Sequence, residues 1–178
     1  MLPLLRAWMA AILDFWNMKL ALIFCLISWA AVATPDGISG KVVSVIDGNT
    51  IEFQTADNET FKFVLSGIDA PELNQEYGDA AKKLLTKLLA GEEAIIYMEG
   101  KDRLGNRVGS LIYKKDRDPR VDLLEKGLAW TAEKNPKPEF ELLKEAAKSN
   151  EKGLWEQPNP TPPWTFRRQQ TMLVAKSS

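Results

Sequence analysis

Two tight-turn signals cut the stretch between positions 41 and 68 into three short segments, and no other feature narrows the possible folds as much. Asp47-Gly48 follows the run Lys-Val-Val-Ser-Val-Ile at 41–46, and Asp57-Asn58 closes the run that begins at Thr50. Both dipeptides accept the backbone angles that a hairpin turn demands. The third segment, 60–68, alternates around Phe61, Phe63 and Leu65, the period of a strand with one buried face. Three strands joined this way predict a curled antiparallel meander.

A helix is expected next. Tyr77, Ala81, Leu84, Leu85 and Leu88 share one helical stripe, Gly91 stops it, and Lys82, Lys83 and Lys87 form its solvated face. Strands over 94–98 and 107–113 flank the turn Arg103-Leu104-Gly105-Asn106. Shorter helices are expected over 122–128 and 139–148, the second turning Phe140, Leu143 and Ala147 inward. The proline-rich stretch 157–164 predicts irregular chain, and 169–178 reads as a flexible C-terminal tail. Five short strands with a helix after the third predict an α+β fold: a five-stranded oligonucleotide-binding-type β-barrel with about three α-helices. A loose sandwich would leave the same pattern.

The first 33 residues differ from the rest. Positions 20–31 are apolar except for Cys25 and Ser28, with Met18-Lys19 before them and Ala31-Val32-Ala33 after. A short positive head, an apolar middle and a small-x-small end describe a signal peptide cleaved after Ala33. Asp14 and two tryptophans before Met18 do not suit such a head and make Met18 a candidate start. An uncleaved anchor is the alternative, although the apolar run is short for a span. The expectation is an exported protein, periplasmic or secreted, with a domain over 34–168, no stable membrane span after processing, and a monomeric state.

Of 23 basic and 24 acidic residues, the leader holds Arg6, Lys19 and Asp14, so the remainder carries 21 and 23, a net charge of −2. That remainder contains no histidine and no cysteine. Zinc held by Cys or His, Ser-His and Cys-His catalysis, and a disulfide are therefore excluded from it. A near-neutral balance does not advertise the basic face that nucleic-acid binding usually needs.

Two carboxylates, Asp69 and Glu72, stand three residues apart at the end of the third strand, with Pro71 stiffening the turn between them. A rigid turn can aim both into one space. Asp47 and Asn49 in the first hairpin offer further oxygen donors, which suit a hard cation such as calcium. They also suit simple turn formation.

Val-Ile-Asp-Gly-Asn-Thr (45–50), Gly-Ile-Asp-Ala-Pro-Glu (67–72), Tyr77-Gly78, Lys101-Asp102-Arg103-Leu104-Gly105, Gly127-Leu128-Ala129-Trp130 and Lys152-Gly153-Leu154-Trp155 occur in this order. The constellation resembles the thermonuclease family, typified by staphylococcal nuclease, and the tail Pro158-Asn159-Pro160-Thr161-Pro162-Pro163-Trp164 resembles its exported bacterial branch. The resemblance implies calcium-dependent phosphodiester hydrolysis of DNA and RNA, with single-stranded or unpaired nucleic acid as partner.

It further implies Asp69 as a calcium carboxylate, Ala70 as a carbonyl donor and Glu72 as the general base. Asn49 stands where the family has an aspartate, which removes one negative charge. Val64 stands where the family has its first arginine. Lys62, two residues earlier on the same strand face, is a weaker candidate for the substrate phosphate, as is Arg103. The second arginine falls on Asn106 when counted forward from Gly105. It falls on Arg107 when counted back from Tyr113, with Asn106 as a turn insertion, and turns absorb insertions more readily than strands. Arg107 is therefore the expected phosphate partner. Phe53, Phe61, Phe63 and Tyr97 either stack bases or fill the core. The function expected is an exported, calcium-dependent phosphodiesterase attenuated by Asn49 and Val64. The alternative is an inactive pseudo-nuclease that only binds nucleic acid or protein.

Overall fold

A computed structural model of the chain describes residues 36–177; the expected leader and its cleavage point lie outside the described residues. Strands β1 (Ile38–Val45) and β2 (Thr50–Thr55) form the predicted hairpin, pairing Val42 with Phe53 and Val45 with Ile51. The Asp47 carboxylate accepts from the Asn49 backbone N–H at 2.9 Å, so the side chain itself holds the turn. Strand β3 (Thr60–Leu65) lies antiparallel to β2, and β4 is the two-residue strand Ile68–Asp69.

Strands β5 (Glu93–Lys101) and β6 (Arg107–Tyr113) form a second hairpin. β5 pairs with β1, and β6 runs parallel to β3 with Val64 opposite Val108. The order β1-β2-β3-β6-β5 closes on itself, so the five strands make a barrel and not a sandwich. Alternate residues fill it: Ile51 and Phe53, Phe63 and Leu65, Leu111 and Tyr113 all lie inside. Phe53 and Phe63 are thus core residues and unavailable to stack bases.

Helix α1 (Gly78–Leu89) covers the barrel with Ala81, Leu85 and Leu89. Helix α2 (Pro119–Glu125) begins earlier than expected because the Asp118 carboxylate caps it, accepting from the Arg120 N–H at 3.0 Å, and Pro119 needs no donor partner at that end. Strand β7 (Trp130–Thr131) pairs with β4. Helix α3 (Pro138–Ser149) buries Phe140 and Ala147, and a short 3-10 turn, Gly153–Glu156, follows.

The chain does not stay irregular after Trp155. Pro163–Ser177 is a fourth helix, α4, in place of the flexible tail expected over 169–178. Pro163 is preorganised to start a helix, and the N–H groups of Thr165 and Phe166 both donate to the Pro162 carbonyl at 3.0 Å. Among the described residues no helix is long and apolar enough to cross a membrane.

Candidate active site

Each end of the acidic turn is fixed by a different element. Asp69 is paired opposite Trp130 in the β4–β7 ladder. Glu72 is held through its backbone: its carbonyl accepts from the Gln75 N–H at 2.8 Å, and its own N–H donates to Gln75 Oε1 at 3.3 Å. Gln75 Nε2 donates in turn to the Thr161 carbonyl at 2.6 Å, which ties the C-terminal segment to the turn. Two glycines permit close approach. A Cβ on Gly48 would strike the Ala70 methyl, and one on Gly78 would strike the Glu72 carbonyl. The first hairpin and the start of α1 therefore press directly against the turn.

Asp47, Asn49, Lys62, Val64, Asp69, Glu72, Asp102 and Asn106 line one open cleft. Asn49 borders the same cleft as the acidic turn, and Lys62 and Val64 both line it from β3. Ala70 itself is buried beneath the turn.

The cleft also contains a residue that no sequence motif marks. Arg167, from α4, reaches into it and forms a fork with Asp69, Nη1 to Oδ1 at 3.0 Å and Nη2 to Oδ2 at 2.7 Å. Nη1 also donates to Glu72 Oε1 at 2.8 Å. One guanidinium thus holds both carboxylates, showing that they converge and that the site attracts a cation. Burial pushes the Asp69 carboxyl above its ordinary value, because the cost of desolvation outweighs the opposing bonds and charge of Arg167. The bonds to Asp69 push the Arg167 guanidinium further up, so it stays charged.

Arg107 does not reach this cleft. Its guanidinium lies 3.7 Å above the Phe61 ring and bonds Glu59 at 2.5 Å. The reason is parity. Leu111 and Tyr113 face the barrel interior, and Arg107 continues that row to the barrel rim, whereas Val108 and Asn106 present to the cleft. The expected partnership of Arg107 with the acidic turn is therefore replaced by a cap on the barrel end.

Asn106 offers no substitute. Its Nδ2 donates to Asp102 Oδ2 at 2.7 Å and its N–H to Asp102 Oδ1 at 2.9 Å. Burial raises the Asp102 carboxyl, but these bonds and that from the Leu104 N–H win and hold it below its usual range. Arg103 lies outside the cleft, in an adjoining groove beside α4.

Around the acidic turn the cleft offers oxygens of Asp47, Asn49, Asp69 and Glu72, which is the chemistry of a hard cation. No group of three or more acids, histidines or cysteines is gathered tightly enough to hold a metal among the described residues. A cation here would depend on the Asn49 amide, backbone oxygen and water to complete its shell.

The sequence profile described as "Staphylococcal nuclease homologue" matches residues 62–157. A protein of Escherichia coli O157:H7 named "Uncharacterized endonuclease" is 31% identical over 147 residues, covering 82% of this chain and 94% of that one. A protein of the same name from Haemophilus influenzae is 31% identical over 136 residues, 76% of each chain. A rice protein named "Probable staphylococcal-like nuclease" is 32% identical over 142 residues, 79% of this chain and 36% of the longer rice protein.

Proposed function

Because the chain belongs to the staphylococcal nuclease homologue family, we propose that it is a nuclease that hydrolyses phosphodiester bonds of DNA or RNA at the turn Asp69-Ala70-Pro71-Glu72. One observation carries this reading: Asp69 and Glu72 converge closely enough to share a single guanidinium in an open cleft. Glu72 takes a proton from water as the oxygen attacks phosphorus, and the P–O ester bond breaks with its electron pair leaving on the sugar oxygen. Lys62, on the cleft face of β3, attracts the phosphate. Calcium held by Asp69 and Asn49 would draw negative charge from the phosphate oxygens as a Lewis acid.

The rate is attenuated in this proposal, because Asn49 carries no charge and Val64 no donor. The leader at 1–33 supports export to the periplasm or medium. A second reading, a binding module without chemistry, draws support from the position of Arg107 outside the cleft.

The test uses the chain from Thr34 with single-stranded DNA and RNA, in calcium or chelator, beside Glu72→Gln. The expected outcome is calcium-dependent cleavage that the variant loses while keeping its thermal stability. Equal inertness of both proteins, with nucleic acid still bound, selects the binding module.

A further inference from the structure

Arg167 reaches the acidic turn from α4, and the helix face that carries it lines a groove. Trp164, Arg167, Arg168, Thr171, Met172 and Ala175 line that groove, and their spacing of three and four residues is that of a single helical face. Arg103, Glu133 and Lys134 also line it. The groove is continuous with the cleft, since Arg167 and Glu133 border both. Its charge is unlike that of the chain. Four cations, Arg103, Lys134, Arg167 and Arg168, meet one carboxylate, Glu133, which is already bound to Arg168 at 3.1 Å. A protein of net charge −1 has therefore gathered positive charge along one path that ends at Asp69 and Glu72.

We propose that α4 supplies the phosphate-binding arginine of this site, Arg167, and that Arg103, Lys134 and Arg168 continue it as a track for the backbone of a single strand leaving the cleft. The proposal rests on the nuclease reading for Arg167 and on charge and shape alone for the track. Arginine presents a planar fork that matches two phosphate oxygens, as it matches the two oxygens of Asp69 here. Its side chain is 49% exposed, so it has room to turn from carboxylate to phosphate. Val64 and Asn106 place no guanidinium on the cleft face, and Arg167 is the arginine that borders it. The half-buried Trp164 anchors the helix by packing edge-on against Trp130, with ring centres 5.7 Å apart. The groove is thereby fixed to the strand that pairs with Asp69.

The experiment uses the full chain and a short fluorescein-labelled single-stranded oligodeoxynucleotide. Anisotropy is followed in chelator over a range of salt. Lys134→Ala, Arg168→Ala and Arg167→Ala should each weaken binding and flatten the dependence of log K on log salt by about 0.7, one phosphate contact of a single strand. Lys87→Ala, on the far face of α1, should change neither. In calcium, Arg167→Ala should lower kcat about 10²-fold, Arg167→Lys should not restore it, and Lys134→Ala and Arg168→Ala should raise KM with kcat unchanged. Calorimetric calcium affinity of Arg167→Ala should equal or exceed that of the parent, because the lost guanidinium competes for Asp69.

Faster or equal cleavage by Arg167→Ala would make Arg167 a blocking contact and overturn its assignment. Unchanged salt slopes in the Lys134 and Arg168 variants overturn the track. A parent protein that binds with the stated slope but cleaves nothing refutes the nuclease reading and leaves the track standing, provided Arg167→Ala still flattens the slope. A parent that neither binds in chelator nor cleaves in calcium refutes both, and one that cleaves in calcium without binding in chelator refutes the track alone.

Discussion

A step of one residue at the start of β6 decides which side chain the cleft receives. Arg107 follows the inward row of Leu111 and Tyr113 and ends on Phe61, while Asn106 and Val108 take the outward positions. Counting back from Tyr113 gives Arg107 the right place along the strand but the wrong face. Tyr113 and Leu111 are core residues by hydrophobicity alone, and an even number of steps along a strand keeps Arg107 on their side. Val64 has the opposite fate: it lines the cleft beside Lys62, where an arginine would meet a phosphate. Val64→Arg combined with Asn49→Asp should therefore raise the single-turnover cleavage rate by about 10²-fold, the scale of one transition-state donor, and tighten calcium binding. A rate unchanged in the double variant would place the reacting phosphate elsewhere.

Among the elements, α2 and α4 are the least legible in sequence. Each depends on a polar contact across the fold that no hydrophobic stripe announces. Arg120 in α2 is only 5% exposed. It forks onto Asp118 at 2.6–3.1 Å, donates to the Ser66 carbonyl at 3.0 Å, and lies over the Phe140 ring. It thus joins α2, α3 and the loop between β3 and β4. Removing one partner of such a pair leaves a buried charge uncompensated. Arg120→Ala should lower the unfolding free energy by about 3–5 kcal/mol, read as a lower denaturant midpoint, and Arg120→Lys should recover only part of it. Helix α4 is hidden for a related reason. Its groove-lining face is Trp164, Arg167, Arg168, Thr171, Met172 and Ala175, a solvent-exposed row of mixed polarity beyond Trp164. The spacing is helical, but the row carries no apolar period.

At the scale of the whole molecule, a barrel carries an acidic turn that four separate segments hold in place. β7 pairs with it, the first hairpin and α1 press on it, and the C-terminal segment bonds to it through Gln75. β7 is itself secured from outside. Glu141 of α3 accepts from the Thr131 hydroxyl and from Lys144 at 2.7 Å, and the bond from Lys144 first, then that from Thr131, hold its carboxyl below the ordinary 4.5. A depressed folded-state value means that the bonds stabilise the protein fully above pH 4.5 and are lost as pH falls through the lower, folded-state value. Glu141 is partly exposed, so the effect is about 1 kcal/mol or less. Glu141→Gln should be less stable than the parent well above pH 4.5 and converge with it in stronger acid. Denaturant melts at several pH values check this, and a constant difference would assign the stability to packing instead.

Turns, alternation and stripes are properties of neighbouring residues, and so the sequence determined what depends on them. Asp47-Gly48 and Asp57-Asn58 set the hairpins, the 61–63–65 alternation set the inner face of β3, and the ordered motifs set the family and the pair Asp69 and Glu72. The closure of the barrel through parallel β3 and β6 joins segments distant in sequence, and only the tertiary structure decided it. The same holds for Arg167, which meets Asp69 across 98 residues of chain. A salt bridge leaves no period in the sequence, because its two charges need only one shared point in space. That point is fixed at the start of α4, where Trp164 packs on Trp130, and with it the guanidinium that borders the cleft.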